Sequence, residues 1–387
     1  MASIVTYNYP TPIRFGPNSS RELPEVLAGS GLLRPLVITD NAIANLPWFP
    51  ELMGLMADFE LAVFHDMGGN PVKSQVTRGV QAAREHEADC VIAIGGGAPV
   101  DVAKAVALML HHPGDLFDYE DGRPDARQAD GLMPYVIAIP TTSGTGSEVG
   151  RSSVISDDVT HAKKIIFSPR MLPNLVLADP CLTLGLPAAI TAAVGFDALT
   201  HLIEAYLAPM EHPMCDGIAL EGIKLVARSL ESAVKFGRTQ AGETPEHIQA
   251  RADMLNASMM GAVAFQKGLG VNHSCAHALS TVCDTHHGLA NALMLETCMR
   301  FNLKAVPGRF EQLAAAAGLS SGADFIQWLC ALRNAVGIPS GLAHLDLSAS
   351  QLEKLIDVAF EDVCHQNNPV PVTRDNFVDL FNQAAKK

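Results

Sequence analysis

In the first half of the chain apolar residues gather in short β-branched runs, at 36–39, 61–64, 90–94 and 135–139, and the stretches between them carry the period of amphipathic helices. Strand and helix in alternation is the rhythm of a parallel sheet with crossover helices, so an α/β domain is expected there. From about residue 184 the texture changes. "PAAITAAVGFDALTHLIEAYL", "CDGIALEGIKLVARSLESAVKF" and "ADMLNASMMGAVAF" repeat apolar positions at helical spacing with hardly a strand among them, so the second half is expected to be all-helical. Pro180, Gly185 and Pro187 in "ADPCLTLGLP" punctuate the change. The expected domains are therefore 1–183, a Rossmann-like α/β unit, and 184–387, a helical one, with a cleft between them. A chain of 387 residues suits two cores of ordinary size.

Composition narrows the function. The chain is 48% apolar and 18% charged, a well-packed globular profile. A net charge of -14 disfavours phosphate backbones, and no Lys/Arg cluster is interleaved with aromatics, so nucleic acid is not an expected partner. No uninterrupted apolar run reaches the roughly 18 residues of a membrane span, and the first 20 residues lack the build of a secretory leader, so a cytoplasmic protein without a membrane partner is expected. None of the eight cysteines forms a C-x-x-C pair, which argues against a disulfide framework or a zinc ribbon.

Two loops suggest a nucleotide. "CVIAIGGGAPVDVAKAVALML" runs a buried strand into Gly95, Gly96 and Gly97 and then into a helix, a turn that aims free backbone N–H groups and the positive helix end at an anion such as a pyrophosphate. It is not G-x-G-x-x-G, and a glycine triplet also serves as a plain turn. "VIAIPTTSGTGSEV" puts a second polar loop, with Thr141, Thr142, Ser143 and Thr145, after another strand; ligands of open α/β sheets bind outside such strand ends, although Ser and Thr also cap helices. Asp40 ends the strand of "PLVITD", where an acid accepts from an adenosine ribose diol and repels a 2'-phosphate, favouring NAD over NADP; the same residue type also forms turns. Asn70, in "GGNPV", lines the adenine side or makes a turn.

The second half carries the strongest chemistry. "GFDALTHLIEAY" sets Asp197 and His201 four apart in an otherwise apolar helix, and "GLGVNHSCAHALSTVCDTHHGLAN" sets His273 and His277 four apart, with His286 and His287 following. Residues four apart share a helix face, so each pair aims two ligand atoms at one point, and a lone carboxylate in such a helix needs a positive partner. The alternative is a hydrogen-bonded core network. Spacing does not choose between His273 and His277, or between His286 and His287. An N/O donor set without Cys suits Fe(II), Zn(II), Mn(II), Co(II) or Ni(II) alike.

With "FG" near the start, "GGGAPVDVAK", "PTTSGTGSEV", "GFDALTHLIEAY", "LGVNHSCAHAL" and "HHGLANA", the chain resembles the iron-containing, group III alcohol dehydrogenase family over almost its whole length. The resemblance implies a dehydroquinate synthase-like architecture, Fe(II) or another divalent ion such as Zn(II) on Asp197, His201, His273 and His287, and His277 as a proton relay near the nicotinamide. It also implies NAD(P) contacts at Asp40, Asn70, Gly96, Gly97, Asp101, Thr141, Thr142, Thr145 and Lys164, and a homodimer or larger homo-oligomer. Departures are Ala98 where Ser is usual, Ala278 and Ser280 for the usual Pro and Gly, and Lys267 where many members carry Asn.

Within the family, "GSEVGRSSVI", "LTLGLPAAITAAVGFDAL", "DGIALEGI", "AFQKGLGVNH" and "CHQNNP" are most similar to the branch that includes 4-hydroxybutyrate dehydrogenases. That likeness implies hydride transfer between NAD and a short primary alcohol or ω-hydroxy acid, or the matching aldehyde, with Lys267 or Arg151 as candidates for the distal anion. The alternative is a short diol dehydrogenase, of the lactaldehyde reductase or 1,3-propanediol type. A dehydroquinate synthase-like lyase ranks lower, because few basic residues lie near the candidate ligands to hold a phosphate-bearing substrate. A metal-binding structural or sensor protein is the non-catalytic reading.

Overall fold

The structure, a computed structural model, describes residues 8, 10–239 and 242–387. The chain forms two compact units, one of residues 10–142 and Gly146–Thr183, the other of Asn8, Ser143–Thr145 and Leu184–Lys387.

The first unit is built on eight strands: β1 (Ile13–Phe15), β2 (Pro35–Ile38), β3 (Ala62–Phe64), β4 (Cys90–Gly95), β5 (Tyr135–Pro140), β6 (Ser152–Ser156), β7 (Lys163–Phe167) and β8 (Leu175–Ala178). Six form one sheet in the order β1-β8-β5-β4-β2-β3, with every pairing parallel. Helices α1 (Leu23–Gly29), α2 (Asn41–Ala44), α3 (Trp48–Gly54), α4 (Lys73–Glu85) and α5 (Gly97–His111) belong to the same unit. Sheet residues alternate between two cores: Val91 and Ala93 of β4 join Val76, Val80 and Val106 of α4 and α5, while Cys90, Ile92 and Ile94 join Leu23, Leu27, Phe49 and Leu52 of α1 and α3. Burial on both faces is why β4 and β5 read as unbroken apolar runs.

The four strands expected from the sequence are present. Two further members of the sheet, β1 and β8, and the separate antiparallel pair β6–β7 were not expected. The register Cys90↔Tyr135 through Gly95↔Pro140 brings the ends of β4 and β5, and hence the two glycine-containing loops, side by side.

The second unit is helical: α6 (Ala188–Leu207), α7 (Pro213–Thr239), α8 (Pro245–Ala264), α9 (Val271–Cys283), α10 (His287–Leu303), α11 (Pro307–Ala316), α12 (Gly322–Val336), α13 (Ala349–Glu361) and α14 (Arg374–Ala385). Helix α6 is its axis, with every residue from Thr191 to Leu207 buried. By length and composition alone it suits a membrane, but its surface is covered by neighbouring helices and it carries Asp197, His201 and Glu204, as a core helix can.

At one end of this unit Arg251 of α8 is 2% exposed and faces no carboxylate within the ion pairs of the described residues. Its guanidinium donates to Thr191 Oγ1 at 2.8 Å and to the carbonyl of Leu186 at 3.2 Å, and burial pulls its pKa down to about 10. The charged side chain thus fastens the segment entering α6. Arg251→Ala orphans those acceptors and opens a cavity, so it is expected to lower unfolding free energy by about 3 kcal/mol, read from the urea midpoint at unchanged m-value.

Candidate metal centre and dinucleotide loops

Four side chains meet in the helical unit. One ligand atom each from Asp197, His201, His273 and His287 can be chosen so that all lie within 4.8 Å of one another. Asp197 and His201 come from one face of α6, His273 from the first turn of α9 and His287 from the first residue of α10. Gly288 makes that convergence possible: a Cβ there would lie 2.4 Å from the carbonyl oxygen of Ala193, so only glycine lets α10 start against the backbone of α6. The His201 and His273 rings stack at 4.7 Å, and His287 Nε2 lies 3.4 Å from Asp197 Oδ1.

The residues fit a divalent cation. Burial pushes the His201 pKa down to about 4 against the pull of Asp197, so the ring is neutral and offers a lone pair. The Nδ2 of Asn291 donates to Asp197 Oδ1 at 2.7 Å and stands 3.4 Å from His273 Nε2 and 3.3 Å from His287 Nε2. One weakly positive amide group thus faces three acceptors at once, which is the electrostatic demand a cation answers more strongly.

The structure separates the histidines that spacing left open. His286 is exposed and precedes α10, outside the cluster. His277 is also outside it; its Nδ1 donates to Asp362 Oδ2 at 2.7 Å while its ring stacks on that of His287 at 5.3 Å. Asp362 accepts in addition from Ser274 Oγ at 2.7 Å and from the Cys364 N–H at 2.8 Å. Burial alone would raise the Asp362 pKa, but His277 and these donors outweigh it and hold the carboxyl well below its usual range. An ionised Asp362 accepts the hydrogen bond from Nδ1–H, so in the neutral ring the lone pair of His277 lies on Nε2.

Sequence reasoning missed Asp362, Asn291 and Glu204. Glu204 lies beside His273, with Oε2 and Nδ1 2.6 Å apart. Lys267, a candidate for a substrate anion, is 3% exposed, donates to Asp216 Oδ1 at 2.5 Å and to the Tyr206 carbonyl at 2.9 Å, and is spent on that buried network. Arg151 is half-buried, 5.3 Å over the Phe167 ring.

In the α/β unit, Gly96 precedes α5 without a side-chain cap, so the first N–H groups of that helix, beginning at Gly97, have no partner from the preceding side chain. A Cβ on Gly96 would come within 2.9 Å of Thr142 Oγ1, so the two loops touch closely at a point that glycine keeps open. Thr141 is buried and donates its N–H to the Gly95 carbonyl at 2.9 Å. A cavity of about 470 Å³ lies nearby, lined by Asp40, Asn41, Gly69, Gln75, Arg78 and Ala98, a size suited to part of a nucleotide. Asn70 is exposed next to this lining. Asp40 Oδ1 accepts from the Ile43 N–H at 2.8 Å, so the residue caps α2 as well as lining the cavity.

Other residues implied as cofactor contacts have protein partners. Asp101 accepts from Ser147 Oγ at 2.5 Å and from the Val154 N–H at 3.0 Å, and lies 3.4 Å from Lys104, whose buried ammonium donates to the carbonyls of Ser147, Gly150 and Ser152. These bonds brace the second loop. Lys164, on β7, is ion-paired with Glu120 at 2.7 Å. Thr145 lies in the short segment that clusters with the helical unit.

Comparison with known proteins covers both halves. Residues 10–180 match the family pattern "Iron-containing alcohol dehydrogenase", and residues 191–385 match "Fe-containing alcohol dehydrogenase family, C-terminal". The chain is 36% identical to 4-hydroxybutyrate dehydrogenase of Cupriavidus necator over 92% of its own length and 93% of that protein's. Among solved structures it is similar to a 1,3-propanediol oxidoreductase, with TM-score 0.91, 32% identity and coverage of 99% of this chain and 100% of that one. It is likewise similar to sulfoacetaldehyde reductase of Bifidobacterium kashiwanohense in complex with NAD+, with TM-score 0.90, 28% identity and coverage of 100% of both chains.

Proposed function

Because this chain belongs to the iron-containing alcohol dehydrogenase family, we propose that it catalyses NAD-linked oxidation of a short primary alcohol or ω-hydroxy acid, and the reverse aldehyde reduction. The observation that carries the reading is the convergence of Asp197, His201, His273 and His287 in a helical unit whose partner unit has glycine loops at parallel strand ends. When bound, a divalent cation supplies Lewis acidity toward a developing negative charge on oxygen, and NAD supplies the hydride acceptor.

The protein's own part is positional. Asp197, His201, His273 and His287 would hold the cation, with Fe(II) or Zn(II) suited to three imidazoles and one carboxylate. His277, its Nδ1–H donated to Asp362, would present Nε2 as the atom that accepts a proton from the alcohol or returns it to the aldehyde oxygen as hydride adds to the carbon. The Gly96–Gly97 turn and the N-terminus of α5 would take the pyrophosphate, with Thr141, Thr142 and Thr145 in the adjoining loop; Asp40 would take the ribose diol. Asn70, Asp101 and Lys164 are assigned outer cofactor contacts. The division of labour follows the expected domains, 1–183 for dinucleotide and 184–387 for metal and substrate.

For substrate, likeness to a 4-hydroxybutyrate dehydrogenase favours a four-carbon ω-hydroxy acid, and likeness to a 1,3-propanediol oxidoreductase supports a short diol as the second reading. The metal-loaded protein is to be assayed at 340 nm with 4-hydroxybutyrate, 1,3-propanediol and 1,2-propanediol. Highest kcat/KM on 4-hydroxybutyrate supports the first, highest on a diol the second, and no NADH with any of them counts against both. A homodimer or larger assembly in the cytoplasm completes the proposal.

Asp40 decides between nicotinamides. Asp40→Gly removes a carboxylate that repels a 2'-phosphate while glycine still serves at a helix N-cap, at a cost of only about a few tenths of a kcal/mol. The NAD to NADP ratio of kcat/KM is expected to fall by about 10–100-fold, equivalent to about 1.4–2.8 kcal/mol. An unchanged ratio removes Asp40 from the cofactor site.

A further inference from the structure

We propose that Glu204 fixes the ring of His273 for cation binding and at the same time caps the helix that carries it. The proposal rests on the cation reading of the four-residue cluster. Glu204 lies seven residues after Asp197 and three after His201 on α6, close to the face they share, and is 2% exposed. A carboxylate at that depth is costly unless donors surround it. Its Oε1 accepts from the Asn272 N–H at 2.7 Å, and its Oε2 accepts from the His273 N–H at 3.3 Å and faces His273 Nδ1 at 2.6 Å.

Asn272 and His273 are the second and third residues of α9, whose preceding residue, Gly270, offers no side chain to cap it. Glu204 therefore supplies from another helix acceptors for the second and third N–H groups of α9, beside Asn368 Oδ1, which accepts from the Val271 N–H at 3.2 Å, at the positive end of that helix. The same bonds settle the His273 tautomer. A carboxylate has only lone pairs to offer, so the proton between Oε2 and Nδ1 sits on the ring, and the neutral ring keeps its lone pair on Nε2.

That Nε2 faces the cluster, where Asn291 Nδ2 lies 3.4 Å away. The amide is itself set from behind, because Asn272 Nδ2 donates to Asn291 Oδ1 at 2.9 Å and so turns the Asn291 Nδ2 inward. Glu204 at Nδ1 and Asn291 at Nε2 thus both require Nε2 to be the acceptor. A carboxylate behind a ligating imidazole also raises the basicity of the donor atom, and loss of such a partner typically costs about 10–100-fold in metal affinity.

Glu204→Gln tests this directly. Glutamine offers one acceptor oxygen where the carboxylate offers two: an NH2 opposite Nδ1 moves the ring proton to Nε2, where the cation binds, an NH2 opposite the Asn272 N–H uncaps α9, and in either orientation the negative charge behind the ring is lost. Stripped full-length protein is titrated with Co(II) against a chromophoric chelator, unsubstituted and as Glu204→Gln, each with and without His273→Ala. The expected result is about 10–100-fold weaker Co(II) binding in the otherwise unsubstituted chain and less than about 3-fold change where His273 is already absent. Equal losses in both backgrounds, or none in either, overturn the proposal. If instead His273→Ala and Asp197→Ala bind Co(II) as tightly as the unsubstituted chain, the cation reading itself falls and takes Glu204 with it.

A second measurement needs no Glu204 variant. In stripped, 15N-histidine-labelled protein, the ring signals missing from His273→Ala are expected to show a proton on Nδ1. A proton on Nε2 overturns the assignment.

Discussion

Replacing His273 by Ala is expected to take bound metal from about one ion per chain to below about 0.1 after dialysis, and to lower kcat/KM by about 10³-fold or more. In the proposed site His273 is one of four donors, and it stands in the first turn of α9 with a ring atom within 4.8 Å of those of Asp197, His201 and His287. Removing it leaves two imidazoles and a carboxylate, a set that keeps an ion less firmly than the closed arrangement. It also leaves Glu204 without the ring that faces it at 2.6 Å, so some stability is lost with the metal. Elemental analysis and NADH formation at 340 nm, measured on the same preparation, check the prediction. Full metal content in the variant would remove His273 from the ligand set.

The second large effect separates holding the cation from moving the proton. His277→Ala is expected to keep metal at about one ion per chain while kcat falls by about 10²–10⁴-fold, the usual range for a lost acid–base group. The reason is positional: His277 is one helical turn beyond His273 on α9, outside the ligand cluster, with Nδ1 tied to Asp362. A His277 variant that loses its metal while His273→Ala retains it would exchange the two assignments.

The α/β and helical textures were legible because their apolar periods differ along most of the chain. Strands β4 and β5 stood out since both faces are buried. Of the strands that escaped, β1 has three residues, two of them exposed, and β8 is only four residues long between loops. β1 lacks a pattern that distinguishes it from loop, whereas β8, four buried apolar residues like β2, has one, and pairing places it beside β5 within the sheet.

At the site, the i, i+4 pairs were visible because they sit in otherwise apolar helices, and the structure gathers Asp197, His201, His273 and His287 around one point. Their supports were not visible. Glu204 meets His273 across 69 positions, and Asp362 meets His277 across 85, distances over which local spacing carries no signal. Each looks in sequence like an acid on a helix or at its end. Lys267 shows the converse: a lone cation six residues before a ligand invites a substrate role, yet its ammonium is absorbed by Asp216 and the Tyr206 carbonyl.

The most direct test of the central claim is a reconstitution titration. The full-length chain is stripped with a chelator, then given Fe(II) anaerobically or Zn(II) in fractional equivalents, with NAD-linked oxidation of the best alcohol followed at each step. The account predicts activity near zero in the stripped protein, rising linearly and breaking at one equivalent per chain, with no such rise in Asp197→Ala. Undiminished activity in protein verified to contain less than about 0.1 ion per chain would contradict it.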